Sequence, residues 1–259
     1  MGRAKIDRTG EETYNNFGSK MIITKYNNAF DIDVYFPKYN WTFEHTQYGV
    51  FKKGNIKCVY EPRTFGVGCL GEGKYKTREN GKQTKCYETW IHMLQRCYDD
   101  NFKEKYPTYK DCEVSNEWLN FQTFSHWYEN NYYEIPGEVM CLDKDILCKG
   151  NKVYSRDTCI FVPEKINNLF VKRDNDRGND PIGAHQSPSG NYQVQCNNVN
   201  GKGIYLGTYS TKDEAFRVYK RYKEKIVKEV IDSYEDIIHE PHYSKLKNAI
   251  YNYKVEITD

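Results

Sequence analysis

Asp143, Lys144, Asp145, Tyr154 and Asn167 lie together in the stretch Cys141 to Phe170, C-L-D-K-D-I-L-C-K-G-N-K-V-Y-S-R-D-T-C-I-F-V-P-E-K-I-N-N-L-F. A carboxylate oxygen and an amide oxygen are hard donors, suited to Mg²⁺ or Mn²⁺. Asp143 and Asn167 are the expected pair of metal ligands. A divalent ion held against a phosphodiester stabilises charge on the leaving oxygen and orients the phosphate. Lys144 could steady a phosphate as a point charge. An ammonium is a poor base at neutral pH unless burial lowers its pKa by several units. Tyr154, Asp145 and His126 are therefore the alternatives for activating water. A plainer reading competes, because Asp and Asn also serve turns and helix ends through local hydrogen bonds.

The elements around these residues read as strand, turn, strand, helix. Gly150-Asn151 supplies the turn, and the apolar run Cys159 to Val162 is the second strand. Pro163 suits a first helical turn. Ile166, Leu169 and Phe170 follow at helical spacing, so a helix is expected over Glu164 to Phe170. Upstream, Trp90, Met93, Leu94 and Cys97 make one apolar stripe on a helix over Tyr87 to Tyr98. Trp118, Phe121, Phe124 and Tyr128 do the same on a helix over Trp118 to Tyr133, which Pro136-Gly137 ends.

This order of elements is similar to a ββα-metal nuclease site, and three blocks resemble the phage-type HNH endonuclease family. Y-E-T-W-I-H-M-L-Q-R-C-Y (Tyr87 to Tyr98) matches its Tyr…Trp…Met…Arg-Cys-Tyr helix. Y-K-D-C-E-V-S-N-E-W-L-N-F-Q-T-F (Tyr109 to Phe124) matches its Val…Trp…Phe…Phe segment. L-D-K-D…Y-S-R-D-T-C-I-F-V-P-E-K-I-N-N matches its Leu-Asp-Arg-Ile-Asp…Tyr-Ser-Pro-Glu-Asn-Cys-Arg-Trp core. The resemblance puts the family's first metal ligand on Asp143 and its last on Asn167, with Asn168 as a register alternative. The family's general-base His falls on Lys144, and the Asn that ties its loop falls on Thr158.

Before this region, Met21 to Lys25, Asp31 to Phe36 and Trp41 to His45 read as strands, with turns at Asn27-Asn28 and Lys38-Tyr39-Asn40. Tyr48 to Ile56 is expected to complete a small antiparallel barrel or curved sheet. The Gly-rich stretch Phe65 to Lys85 carries a G-x-G-x-x-G spacing at Gly66, Gly68 and Gly71, but no helix follows, which excludes a dinucleotide fold. Asn80-Gly81 predicts a hairpin between Lys74 and Lys85. Lys74, Lys76, Arg78 and Lys82 on that hairpin are candidates for a DNA backbone.

Beyond a charged linker over Val171 to Asp180, three strands are expected at Ile182 to Gln186, Tyr192 to Asn197 and Lys202 to Tyr209. A helix follows, capped by Ser210 or Thr211 and packed through Ala215, Val218, Tyr219, Tyr222 and Ile226. Leu206-Gly207-Thr208-Tyr209 with Glu214-Ala215 resembles the Apetala-type (ethylene-response-factor) DNA-binding domain, whose sheet lies in the major groove. The resemblance places His185, Gln186, Tyr192, Gln193, Gln195, Asn197, Lys202 and Tyr205 on DNA. The plant family uses several Arg there, and this chain offers Gln, Asn and Tyr.

Composition adds bounds. The net charge of +2 and a pI near 7.9 do not by themselves announce nucleic acid. Gly49 to Thr84 is basic and Tyr87 to Phe170 acidic, an arrangement that suits phosphate beside a cation. The 24 Tyr serve base contacts or core filling. None of the nine Cys forms a C-x-x-C pair, so reduced thiols are expected, with a zinc site on Cys141, Cys148 and Cys159 as a competing reading. No apolar run approaches the ~18 residues of a membrane span. The polar N-terminus predicts no secretory signal, and Ile6 at the hydroxyl position predicts no myristoylation.

The expected fold is α+β: a small β module (1–64), a basic hairpin (65–86), an HNH-like module (87–172), an Apetala-type domain (180–240) and a tail (241–259). The function implied by the resemblances is a DNA endonuclease acting on double-stranded DNA with Mg²⁺ or Mn²⁺ in the cytoplasm of a host cell. The alternative is a cleavage-dead DNA-binding protein, or an anti-defence inhibitor whose partner is a host defence protein.

Overall fold

A computed structural model describes residues 6–170 and 180–257. The fold is α+β, and the chain divides into two compact units. One comprises Met1–Lys110 with Val114–His126, and the other Asp111–Glu113 with Trp127–Asp259. The division falls inside the expected 87–172 module. The charged linker lies outside the described residues, apart from Asp180.

In the first unit, β1 (Glu12–Tyr14), β2 (Lys20–Asn28), β3 (Asp31–Phe36) and β4 (Trp41–Thr46) form an antiparallel sheet in that order. Alternation drives it: Met21 and Ile23 on β2, and Ile32, Val34 and Phe36 on β3, all face one core with Phe51, Ile56 and Cys58. The expected strand through Tyr48 is corrected. Tyr48–Lys52 is a short helix, α1, because Phe51 must enter that core while Tyr48 stacks on it with ring centroids 6.1 Å apart. A strand would send residues three apart to opposite faces.

The predicted hairpin forms as β5 (Arg78–Glu79) and β6 (Lys82–Gln83), with Asn80 and Gly81 both at positive φ, as a type I′ turn requires. Helix α2 (Lys85–Tyr98) is capped by the Thr84 side chain, which accepts from the Tyr87 N–H, and buries the expected stripe. Helix α3 (Asp100–Lys105) follows, and later in the chain the two-residue strand β7 (Glu113–Val114). Trp118 sits in a 3₁₀ turn (Asn116–Leu119), so α4 begins at Phe121 and runs to Asn131, shorter than expected. The glycine spacing has a packing cause: a Cβ on Gly68 would lie 2.5 Å from Leu94 and 2.9 Å from Trp90.

The second unit holds β8 (Met140–Asp143) paired antiparallel with β10 (Ile160–Pro163), the short β9 (Val153–Tyr154) between them in sequence, and α5 (Glu164–Asn167). It also holds the sheet β11 (Ala184–Gln186), β12 (Tyr192–Asn197) and β13 (Gly203–Tyr209), then α6 (Lys212–Asp232) and α7 (His242–Asn252). Thr211 caps α6 through the Glu214 N–H.

Helix α6 belongs to two cores. Its first half places Ala215 and Tyr219 against Tyr192, Val194 and Cys196 of the sheet. Its second half places Ile226, Val227, Val230 and Ile231 against Ile146, Ile160, Val162 and Ile166, and against Tyr243, Leu246 and Ile250 of α7. Tyr222 packs on both cores. The strand–helix segment and the three-stranded sheet are thus joined by one continuous helix. No helix among the described residues is long and apolar enough to cross a membrane.

Candidate metal centre and nucleic-acid interface

Asp143 ends β8, opposite Ile160. Its Oδ1 accepts from the backbone N–H groups of Asp145 and Ile146, each at 2.7 Å, a turn that reverses the chain as it leaves the strand. Its Oδ2 makes no hydrogen bond to any described residue. Burial raises the carboxyl pKa above the ordinary value, against the pull of the two N–H donors. A carboxylate half-desolvated in this way gains from a cation. Helix α5 packs on both β8 and β10. Asn167 closes that helix half-buried, and its amide also makes no hydrogen bond to a described residue.

The groups around this pair are bonded among themselves. Lys144 is buried at 5 % exposure; its Nζ donates to Asp145 Oδ2 at 2.7 Å and to the Asn151 carbonyl at 3.0 Å. Burial pulls the ammonium pKa down, but the hydrogen bond and charge of Asp145 outweigh it and the net shift is upward. Lys144 therefore stays protonated at neutral pH. It is a loop clamp and cannot act as a base. Tyr154 is buried on β9, its ring centroid 5.7 Å from the Lys144 ammonium. Asp145 is exposed.

The amide that ties this loop is Asn151, which corrects the placement on Thr158. Asn151 Nδ2 donates to the carbonyls of Lys144 (2.9 Å) and Val153 (2.7 Å), and its Oδ1 accepts from the Val153 N–H at 3.2 Å. The Thr158 hydroxyl donates to the Val153 carbonyl at 2.8 Å and shares a hydrogen bond with the Ser155 hydroxyl at 2.9 Å. Gly150, at φ 79°, makes the turn that aims Asn151 inward.

On the three-stranded sheet, period two sorts the expected contacts. Gln193, Gln195 and Asn197 on β12 are exposed, as are His185, Gln186, Lys202 and Tyr205. Tyr192 is corrected: it is 7 % exposed and faces α6 with Val194 and Cys196, so it belongs to the core. His185 pairs with Gln193, and Gln193 with Thr208. Gln195 pairs with Tyr205 across a bulge, where Leu206 is the extra residue. Gln186 donates to the Gly190 carbonyl and so belongs partly to its own turn.

No family model, no curated protein and no solved structure matches this chain.

On the hairpin, Lys74, Lys76, Arg78 and Lys82 are all exposed. Arg78 donates to the Gly81 carbonyl at 3.4 Å, and Lys74 lies over the Tyr75 ring at 4.9 Å. His126 belongs to the first unit, where its Nδ1 is 3.3 Å from the Tyr75 hydroxyl. All nine Cys are free thiols, and none groups with other His, Cys, Asp or Glu as a metal set among the described residues.

One set of donors escaped the sequence reading: Asp31, Asp33 and His45, with ligand atoms all within 4.8 Å of one another. The D-I-D alternation puts both carboxylates on one face of β3, but only the pairing with β4 brings His45 there. The set is closed on itself. His45 Nδ1 is 2.9 Å from Asp31 Oδ1, the His45 N–H donates to Asp33 at 3.0 Å, and Asn27 donates to Asp31 at 2.7 Å.

Proposed function

We propose that this protein binds double-stranded DNA through its three-stranded sheet and hydrolyses a phosphodiester bond with one divalent cation, Mg²⁺ or Mn²⁺, held by Asp143 and Asn167. The reading is supported by two oxygen donors on elements that pack together, Asp143 on β8 and Asn167 on α5. Neither Asp143 Oδ2 nor the Asn167 amide makes a hydrogen bond to a described residue, whereas Lys144 and Asn151 of the same segment are bonded to their neighbours. When bound, such an ion supplies positive charge at the scissile phosphate and lowers the pKa of water. Asn151 and Lys144 fix the loop so that Asp143 keeps its place. The exposed Lys74, Lys76, Arg78 and Lys82 suit phosphates along the duplex.

Plasmid nicking in Mg²⁺ or Mn²⁺, wild type beside Asp143→Asn, tests the reading. Asn keeps the turn acceptor and removes the charge. Nicking by the wild type and its loss in the variant is the expected result; nicking that is absent, or equal in both, sinks the cleavage claim.

A second reading is favoured by Lys144, since the position that the HNH resemblance gives to a base holds a locked ammonium. On that reading the chain is a cleavage-dead DNA-binding protein, or an inhibitor that engages a host defence protein. Duplex binding without nicking supports the former.

A further inference from the structure

The segment that follows α7 returns to the loop carrying Asp143. Tyr253 takes extended backbone as that helix ends, and the residues after it alternate. Val255 is 2 % exposed and packs with Val194 and Cys196 of β12 and Ala215 of α6, while Lys254 and Glu256 are exposed. Its backbone is held as well as its side chain. The Val255 N–H donates to Glu224 Oε1 at 3.0 Å, and its carbonyl accepts from Lys220 Nζ. Glu224 and Lys220 both lie on α6 and pair with each other at 2.8 Å. Tyr253 meets Phe170, beyond α5, edge-on with ring centroids 4.8 Å apart.

The outer side of this strap is taken by one residue of the Asp143 loop, Lys149. Its Nζ donates to the Lys254 carbonyl at 2.8 Å, lies 3.4 Å from Glu256 Oε2 and stands 5.0 Å from the centre of the Tyr253 ring. The pair with exposed Glu256 is worth little. The bond to the Lys254 carbonyl is charge-assisted, and buried Val255 next to it fixes that acceptor. Lys149 is the second residue of the turn Cys148–Asn151, closed by the Asn151 N–H on the Cys148 carbonyl at 3.0 Å. Gly150 is the third, and its φ of 79° is what a type II turn needs there. The turn therefore faces two ways. Asn151 ties the loop internally, through the Lys144 carbonyl beside Asp143, and Lys149 ties it to the strap.

We infer that Tyr253–Glu256 is a latch on the Asp143 loop, with Lys149 as the positioning residue that carries its hold to Asn151 and so to the chain reversal at Asp143. The latch does not depend on cleavage; its bearing on a cation rests on the function proposed above.

Amide hydrogen exchange of the full chain is the test, with Lys149→Met, which keeps the stem and removes the ammonium, and Lys149→Arg, which keeps the charge. The Asp145, Ile146 and Asn151 amides should exchange about tenfold faster in Lys149→Met, the scale of one lost charge-assisted hydrogen bond. The Val194 and Cys196 amides should not change, and Lys149→Arg should restore the protection. Titration of the same proteins with Mn²⁺ alone should show binding weakened about tenfold in Lys149→Met, the low end for a group that orients a ligand. Loop amides that exchange alike in wild type and Lys149→Met overturn the latch, as does a uniform rise that includes Val194 and Cys196. Faster loop exchange with Mn²⁺ affinity unaltered overturns the positioning role at the cation. A wild type that holds no Mn²⁺ sinks the cation reading and leaves the latch to be decided by exchange.

Discussion

The loop after Asp143 and the outer face of the three-stranded sheet belong to the same compact unit and treat polar groups in opposite ways. In the loop, Asp143 Oδ1, Lys144, Asn151 and Thr158 are bonded to one another or to nearby backbone. On the sheet, Gln193, Gln195 and Asn197 are bonded to nothing described. A satisfied network in a partly buried place specifies one geometry. Exposed donors and acceptors cost the fold nothing while water serves them, and they remain available to a partner. The first region is built for position and the second for contact. Substitutions should separate the two sharply.

The largest effect is expected where the loop's geometry would serve chemistry. Asp143→Asn should lower nicking on the order of a hundredfold or more, the scale of losing one electrostatic group at a reacting centre. The same change should stabilise the fold at neutral pH. The folded carboxyl pKa lies above the ordinary 3.8, so the stability tied to this group is full below 3.8 and is lost as pH rises through the raised value. Urea unfolding at pH 7 reads the sign. A variant less stable than wild type would show that the charge, rather than the turn acceptor, holds the chain reversal.

Next come the residues that hold the loop. Asn151→Ala removes three side-chain hydrogen bonds and should cost about 3 kcal/mol by urea unfolding. Lys144→Met keeps the apolar stem and deletes the ammonium, leaving the Asn151 carbonyl and Asp145 without their donor. With Asp145 exposed, the loss should be below that of a fully buried pair, about 2 kcal/mol. The folded ammonium pKa is raised above 10.5, so this contribution is complete below pH 10.5 and fades as pH climbs through the folded value. A difference between wild type and Lys144→Met that vanished near pH 7 would contradict the clamp. By contrast, Gln193→Ala on the sheet should change stability by less than ~0.5 kcal/mol.

Much of this contrast could be read from the sequence, and the exceptions have physical causes. Strand β3 (Asp31–Phe36) and the stripe on α2 were legible because period two and period 3.6 each dominate there. Tyr192 was turned the wrong way even though it shares parity with Val194 and Cys196. The resemblance put it on DNA, but alternation alone sends it inward. Asn151 was missed because the family pattern aligns its amide with Thr158, while the αL turn at Gly150 delivers an amide from elsewhere in the loop. Helix α1 forms for tertiary reasons that a five-residue window does not reveal. That α6 serves two cores was also hidden, because its apolar spacing continues unbroken while its neighbours change.

Lys223 carries the comparison beneath the sheet and gives its mildest test. It lies half-buried on α6 near Cys196 of β12 and makes no hydrogen bond to a described residue. Burial lowers its ammonium pKa, with no carboxylate to restore it, the reverse of Lys144. For a lysine with a depressed folded pKa, the cost is full below that value and is gone above the unfolded 10.5. Lys223→Met should therefore stabilise the protein by about 1 kcal/mol at neutral pH, and the gain should shrink as pH approaches 10.5. Thermal melts of the two proteins across that range measure it. Equal melting temperatures at pH 7 would mean that the ammonium reaches water along its stem. The two lysines of one unit would then differ only in partners and not in cost.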